Sequence, residues 1–149
     1  MSDMAKKAPK IYAQEETTSQ LKEAAVRYIT TGKKTPFLEN FSYHHFDKIV
    51  QKGPFSLAQW ADLLYISERT LQRYAKANGI FSGLLVERIL QLEKLILLGN
   101  DTFNSQFAAW LFIPSFHFNG DTPYQQLFTY VGIEKVMNLV GRIQHGIVA

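Results

Sequence analysis

The residues of this chain best suited to chemistry are Arg69, Gln72, Arg73 and Lys76, which recur at i, i+3, i+4 and i+7. That spacing gathers them on one face of a helix, with Leu71, Tyr74 and Ala75 pointing inward. The chemistry is recognition, not catalysis. An Arg guanidinium forks onto guanine, a Gln amide pairs with adenine and a Lys ammonium neutralises phosphate, so the face suits the major groove of duplex DNA. A merely solvated basic face has the same pattern, and the spacing alone leaves both readings open.

Catalytic constellations are missing from the sequence. It contains no Gly-rich phosphate loop, no HExxH and no Gly-x-Ser-x-Gly. Ser115, His117 and Asp121 crowd into one loop, but a triad is assembled from separated rigid elements, and closeness in sequence argues nothing. His44 and His45 are adjacent, so they point to different faces and cannot form an i, i+4 metal pair. His145 stands beside an apolar tail, where it either meets a partner or only complements a helix dipole. Zero cysteines remove disulfides, thiolate metal sites and Cys nucleophiles, the usage expected of a cytoplasmic protein. No catalytic residue, metal or cofactor is expected.

The elements that position the basic face follow from caps and periodicity. Ser56 and Gln59 form a capping box, Leu57, Trp60, Ala61 and Leu64 make a buried face, and a tight turn at Tyr65-Ile66 leads to Ser67, a second N-cap. Two short helices so tightly joined suggest helix-turn-helix. Upstream, residues 1–14, with Lys6, Lys7 and Lys10, read as a flexible arm. Residues 15–31 read as a helix with Leu21, Ala25, Tyr28 and Ile29 on one face, and residues 42–51 as a shorter one with Phe46, Ile49 and Val50 inward.

Downstream, Ser82-Gly83 starts a long helix through Leu98, stopped by Gly99-Asn100. Its stripe of Leu85, Ile89, Leu92 and Ile96 is widened by Leu84, Val86, Leu90, Leu95, Leu97 and Leu98, which predicts burial on more than one side. Phe103, Phe107, Trp110 and Leu111 share one face of a following helix that ends before Pro114. Thr122-Pro123 opens another, with Gln125 completing a capping box and Gly132 closing it. Val136, Val140 and Ile143 line a last helix that Gly146 stops, leaving Ile147-Val148-Ala149 as an apolar end.

A chain of 149 residues that is 46% hydrophobic can build a real core. It has no run of about 18 apolar residues to span a membrane, and the lysines of residues 1–10 are not followed by the apolar run of a signal peptide. A net charge of +3 permits nucleic acid as a partner without demanding it. From Gly99 to Ala149 the only charged residues are Asp101, Asp121, Glu134, Lys135 and Arg142, among nine aromatics. So little charge cannot cover the segment, which must be buried by another chain or by the rest of this one.

Ala108-Ala109-Trp110-Leu111, the turn Asn119-Gly120-Asp121-Thr122-Pro123, Gly132-Ile133-Glu134-Lys135-Val136 and Arg142-Ile143-Gln144-His145-Gly146-Ile147 together resemble the toxin-binding domain of the Xre/MbcA/ParS antitoxins. That family carries Trp-Leu, Gly-Gly-x-x-Pro, Gly-x-x-x-Val and Arg-Ile-x-x-Gly at these spacings. Asn119 replaces the first turn Gly, and as the next best residue for left-handed backbone it should preserve the turn. Ala61-Asp62-Leu63-Leu64-Tyr65-Ile66-Ser67 resembles the Xre type helix-turn-helix, with Tyr65 where many such motifs have Gly. Ser67-Glu68-Arg69-Thr70-Leu71-Gln72-Arg73 looks like the start of its recognition helix.

The resemblance implies an all-α protein: an arm (1–14), a helical DNA-binding region (15–81), a connecting helix (82–99) and a toxin-binding domain (100–149). It implies an antitoxin that blocks the active site of a RES-domain toxin, a class that consumes NAD or transfers from it. Arg142, Gln144, His145, Ile147, Val148 and Ala149 would face the toxin, while Trp110, Leu111, Gly120, Pro123, Gly132, Val136 and Gly146 would be architectural. Operator DNA would be the second partner, met by Arg69, Thr70, Gln72, Arg73 and Lys76 of a homodimer, with no membrane and no small-molecule substrate. The other reading is a stand-alone helix-turn-helix regulator whose C-terminal region dimerises or senses.

Overall fold

Serine and threonine hydroxyls placed one residue ahead of apolar runs set where the helices of this chain begin. The computed structural model describes residues 40–146; the expected arm at 1–14, the expected helix at 15–31 and the tail residues 147–149 lie outside the described residues. The helices are α1 (Tyr43–Lys52), α2 (Leu57–Leu64), α3 (Glu68–Ala77), α4 (Gly83–Phe103), α5 (Phe107–Leu111), α6 (Pro123–Gln126) and α7 (Tyr130–Gln144), with 3₁₀ turns at Asn104–Gln106 and Phe116–Phe118. Among the described residues there is no strand, only an antiparallel bridge between Ser42 and Ile80. The fold is all-α, as expected.

The caps follow the sequence closely. Ser56 Oγ accepts from Gln59 N–H at 3.1 Å while Gln59 Oε1 accepts from Ser56 N–H at 2.9 Å, so each residue satisfies an otherwise orphan donor of the other at the start of α2. Thr122 and Gln125 repeat the arrangement ahead of α6, with Pro123 at the first position. In α1 the same exchange uses His45, whose Nδ1 accepts from Ser42 N–H at 3.2 Å. Asn119 adopts the left-handed conformation expected of it, with φ 57° and ψ 34°.

The core is organised along α4, which packs lengthwise on α7 and also meets α1, α2 and α5. Val86, Ile89, Leu92, Leu95 and Ile96 are fully buried, joined by Trp60 and Leu63 of α2, Phe46 of α1 and Ile133, Val136 and Val140 of α7. Burial on more than one side of α4 is therefore met, but Leu84 and Leu97 face solvent. Leu57 is exposed as well, at the open end of α2 a turn ahead of the buried Trp60, and Ala75 lies on the outer surface of α3, where Leu71 alone is fully buried.

Two glycines read as helix stops are close-approach positions. Helix α4 runs past Gly99 to Phe103, and Gly99 is needed for another reason: the outer end of the Phe107 ring comes so close to its backbone that any Cβ would overlap it. The break comes instead at Asn104, with φ 53° and ψ −129°. Phe103 thus belongs to α4, and its ring meets Trp110 of α5 across the break at 4.6 Å. Gly132 does not close α6, which ends at Gln126; it lies in the first turn of α7, its N–H donating to the Thr129 cap at 2.9 Å. A Cβ on Gly132 would overlap the Gln126 carbonyl, so the close turn between α6 and α7 requires glycine.

Gly132→Ala is expected to destabilise the chain by about 3 kcal/mol, the upper end of overpacking costs, because backbone must move. Gly141→Ala, in the interior of α7 with open space around the new methyl, should instead stabilise by about 0.5–1 kcal/mol. Urea unfolding of the two variants checks both signs.

Candidate functional site

Helix α3 is held at both ends. At its start Ser67 Oγ accepts from Thr70 N–H at 3.0 Å and donates to Thr70 Oγ1 at 2.8 Å. At its end Asn78, left-handed at φ 47°, accepts the His44 N–H of α1 on its Oδ1 at 2.9 Å. The next residue's carbonyl, Gly79 O, takes the Tyr43 N–H at 2.8 Å, and Phe81 N–H donates to Phe41 O at 2.9 Å. The inner face is set by buried Leu71 and by Tyr74, whose ring packs on Phe81 at 4.8 Å. Arg69, Gln72, Arg73 and Lys76 are all exposed on the outside. Thr70 differs: it is half-buried with its hydroxyl engaged in the cap, and Arg73 reaches back to it at 3.5 Å. Thr70 therefore shapes the helix start and steers Arg73.

The turn between α2 and α3 is where the sequence departs from glycine. Tyr65 takes the left-handed conformation itself, with φ 60° and ψ 37°, at the strain such backbone costs a residue with a Cβ. Its hydroxyl donates to the Phe128 carbonyl, and its ring stands edge-on to Phe128 at 6.3 Å. Arg88 of α4 lies over the same ring at 5.4 Å. Its Nε donates to Leu63 O at 2.6 Å and an Nη donates to Leu127 O at 2.7 Å. Burial lowers the Arg88 pKa and Tyr65 opposes that shift; a guanidinium stays charged throughout the working pH range. The helix-turn-helix turn is thereby bolted to the connection between α6 and α7. Reading the sequence did not find Arg88. The available signal was a cation on the apolar stripe itself, three residues after Leu85 and four before Leu92.

In the C-terminal unit the residues expected to be architectural divide. Leu111, Pro123, Gly132 and Val136 are buried, whereas Trp110 is half-buried in its stack with Phe103. Gly120 and Gly146 adopt positive φ of 93° and 75°. Arg142 and His145 are exposed near the end of α7. Gln144 is also exposed, but its Nε2 donates to Asp101 Oδ2 at 2.6 Å and ties α7 to α4. Ile147, Val148 and Ala149 lie outside the described residues. The loop residues Ser115, His117 and Asp121 make a turn: His117 N–H donates to Ser115 Oγ at 3.1 Å, and Ser115 N–H donates to the Asp121 carbonyl at 3.0 Å. Between this turn and α7 runs a polar groove of about 360 Å³.

An exposed basic helix in a helix-turn-helix, braced against a charge-poor helical unit, defines a two-part all-α helix-turn-helix protein. Residues 35–94 match the antitoxin Xre-like helix-turn-helix domain, and residues 96–146 match the antitoxin Xre/MbcA/ParS C-terminal toxin-binding domain. The chain is also 31% identical over 106 residues to the antitoxin Xre of Photorhabdus laumondii subsp. laumondii, covering 69% of this chain and 72% of that protein. The chain belongs to the Xre/MbcA/ParS antitoxin family. Its two matched segments meet inside α4.

Arg88→Met is expected to lower unfolding free energy by about 2 kcal/mol, since two carbonyls lose a charged donor, and Arg88→Lys should restore only part because an ammonium cannot fork. Chemical denaturation of both variants measures this; a change within about 0.5 kcal/mol, the usual range for an uninvolved surface position, would show the joint to be incidental.

Proposed function

We propose that this chain neutralises a cognate toxin of the RES class by covering its active-site entrance, and that as a homodimer it represses its own operon through α3. The observation that carries the reading is a toxin-binding domain and an exposed basic recognition helix on one chain. In this reading the protein works in the cytoplasm, takes no cofactor or small-molecule substrate and catalyses nothing: it restrains an enzyme that uses NAD without being one. Arg142 and His145 at the end of α7, with Ile147, Val148 and Ala149 beyond, would close over the entrance, Arg142 being suited to carboxylates. Gln144 would contribute by fixing the end of α7 through Asp101.

On DNA, Arg69, Gln72 and Arg73 would read base edges and Lys76 would meet phosphate, with Thr70 holding the N-terminal turn in shape. The stand-alone regulator remains the second reading, and co-expression with the neighbouring gene product separates the two. Rescue of growth and a stable complex support the antitoxin; a harmless neighbour that never co-purifies supports the regulator. Removing residues 147–149 should weaken neutralisation in that assay while leaving the thermal midpoint unchanged, and full protection by the truncated chain would rule out the tail mechanism. Arg69→Ala combined with Arg73→Ala should weaken operator binding by at least about tenfold in gel shifts and spare neutralisation.

A further inference from the structure

The turn after α5 displays large apolar side chains to solvent beside a basic groove. Phe116 is 75% exposed and Ile113 is 56% exposed. Phe116 is not there by looseness of the chain. Ser115 O accepts the N–H groups of Phe118 and Gly120 at 3.0 and 2.9 Å, Asp121 N–H closes the turn on Phe118 O at 3.0 Å, and Phe118 plugs into the core. Phe116 therefore projects from a pre-organised turn, and its ring stacks on His117 at 4.1 Å.

His117 leads directly into the groove, which Lys135, Asn138 and Arg142 of α7 line from the other side. Those three residues fall at i, i+3 and i+7, one face of the helix. Asn119, Asn138 and Gln126 add amide donors, and Asp121 is the single acidic residue among the lining side chains. Among the described residues neither Lys135 nor Arg142 is part of an ion pair.

Resting on the antitoxin reading, we propose that this composite surface grips the body of the toxin: Phe116 and Ile113 fill an apolar socket, while Lys135 and Arg142 clasp a carboxylate beside it. The grip adjoins the C-terminal tail at Arg142 and extends the contact from there to the turn after α5. It adds an aromatic anchor and a charged pair next to it, the arrangement that concentrates binding energy in protein interfaces. The toxin is the occupant this surface fits, since Ile113, Phe116, Lys135 and Arg142 all lie within residues 96–146, the segment that matches a toxin-binding domain.

The test uses the full chain and the purified neighbouring toxin, with affinity measured by titration calorimetry. Phe116→Ala and Lys135→Glu are each expected to weaken the complex by about tenfold or more, because an anchor or its charged neighbour is removed. Phe116→Leu should retain more affinity than Phe116→Ala, and the thermal midpoints of all three should match wild type because both positions are exposed. Unchanged affinity in a wild-type complex overturns this surface while leaving the antitoxin reading intact. A wild-type chain that binds no toxin overturns both. Variants that shift the free chain from dimer to monomer in light scattering, or that lose operator binding and keep the toxin, also overturn the assignment.

Discussion

Arg88 is the point on which the two halves of this molecule turn. A guanidinium placed on the apolar stripe of α4 loses much of its hydration, and among the described residues no carboxylate is hydrogen-bonded to it. The loss is offset by two carbonyls and the face of an aromatic ring. The carbonyls come from different places. Leu63 O belongs to the last turn of α2 and Leu127 O follows α6, and both lack an intrahelical partner for the same reason, being at helix ends. One side chain thus satisfies the orphan groups of two segments that lie far apart in the chain and holds them at a fixed separation.

Tyr65 explains why that joint tolerates strain. Glycine would reach left-handed backbone at no steric cost, but it would bring neither the ring under Arg88 nor the hydroxyl on the Phe128 carbonyl. The residue that makes the helix-turn-helix turn is therefore also the residue that anchors it to the C-terminal unit. Buried side chains from Phe46 to Val140 form one continuous core around α4. The basic face of α3 and the surface beside α7 are consequently presented by a common scaffold, each fixed by hydrogen bonds that leave its outward side chains in water.

What reading the sequence recovered was local. Ser56 with Gln59, Ser67, Thr122 with Gln125, and the Asn119-Gly120 turn depend on atoms within three or four residues, so spacing was enough to place them. The exposed face of α3 followed for the same reason, since helical periodicity is a property of the segment itself. Amphipathic pattern also separated the inner residues of α4 from loops, although it assigned Leu84 and Leu97 to the interior when they face solvent.

The sequence by itself determined the class of fold, the family to which the chain belongs and most of the helix starts, because caps, periodicity and motif spacing act over short stretches. Only the tertiary structure decided which glycines were stops. Gly99 and Gly132 have the same local look as a terminator, and what makes each necessary is a neighbour from elsewhere: the Phe107 ring against one, the Gln126 carbonyl against the other. The same holds for Arg88, Thr70 and Gln144. Their types advertise charge or polarity, but whether a polar group faces a partner or is spent on a carbonyl, a cap or Asp101 is settled by which segments pack together, and hydrogen-bond satisfaction in a packed core is a property of the whole chain.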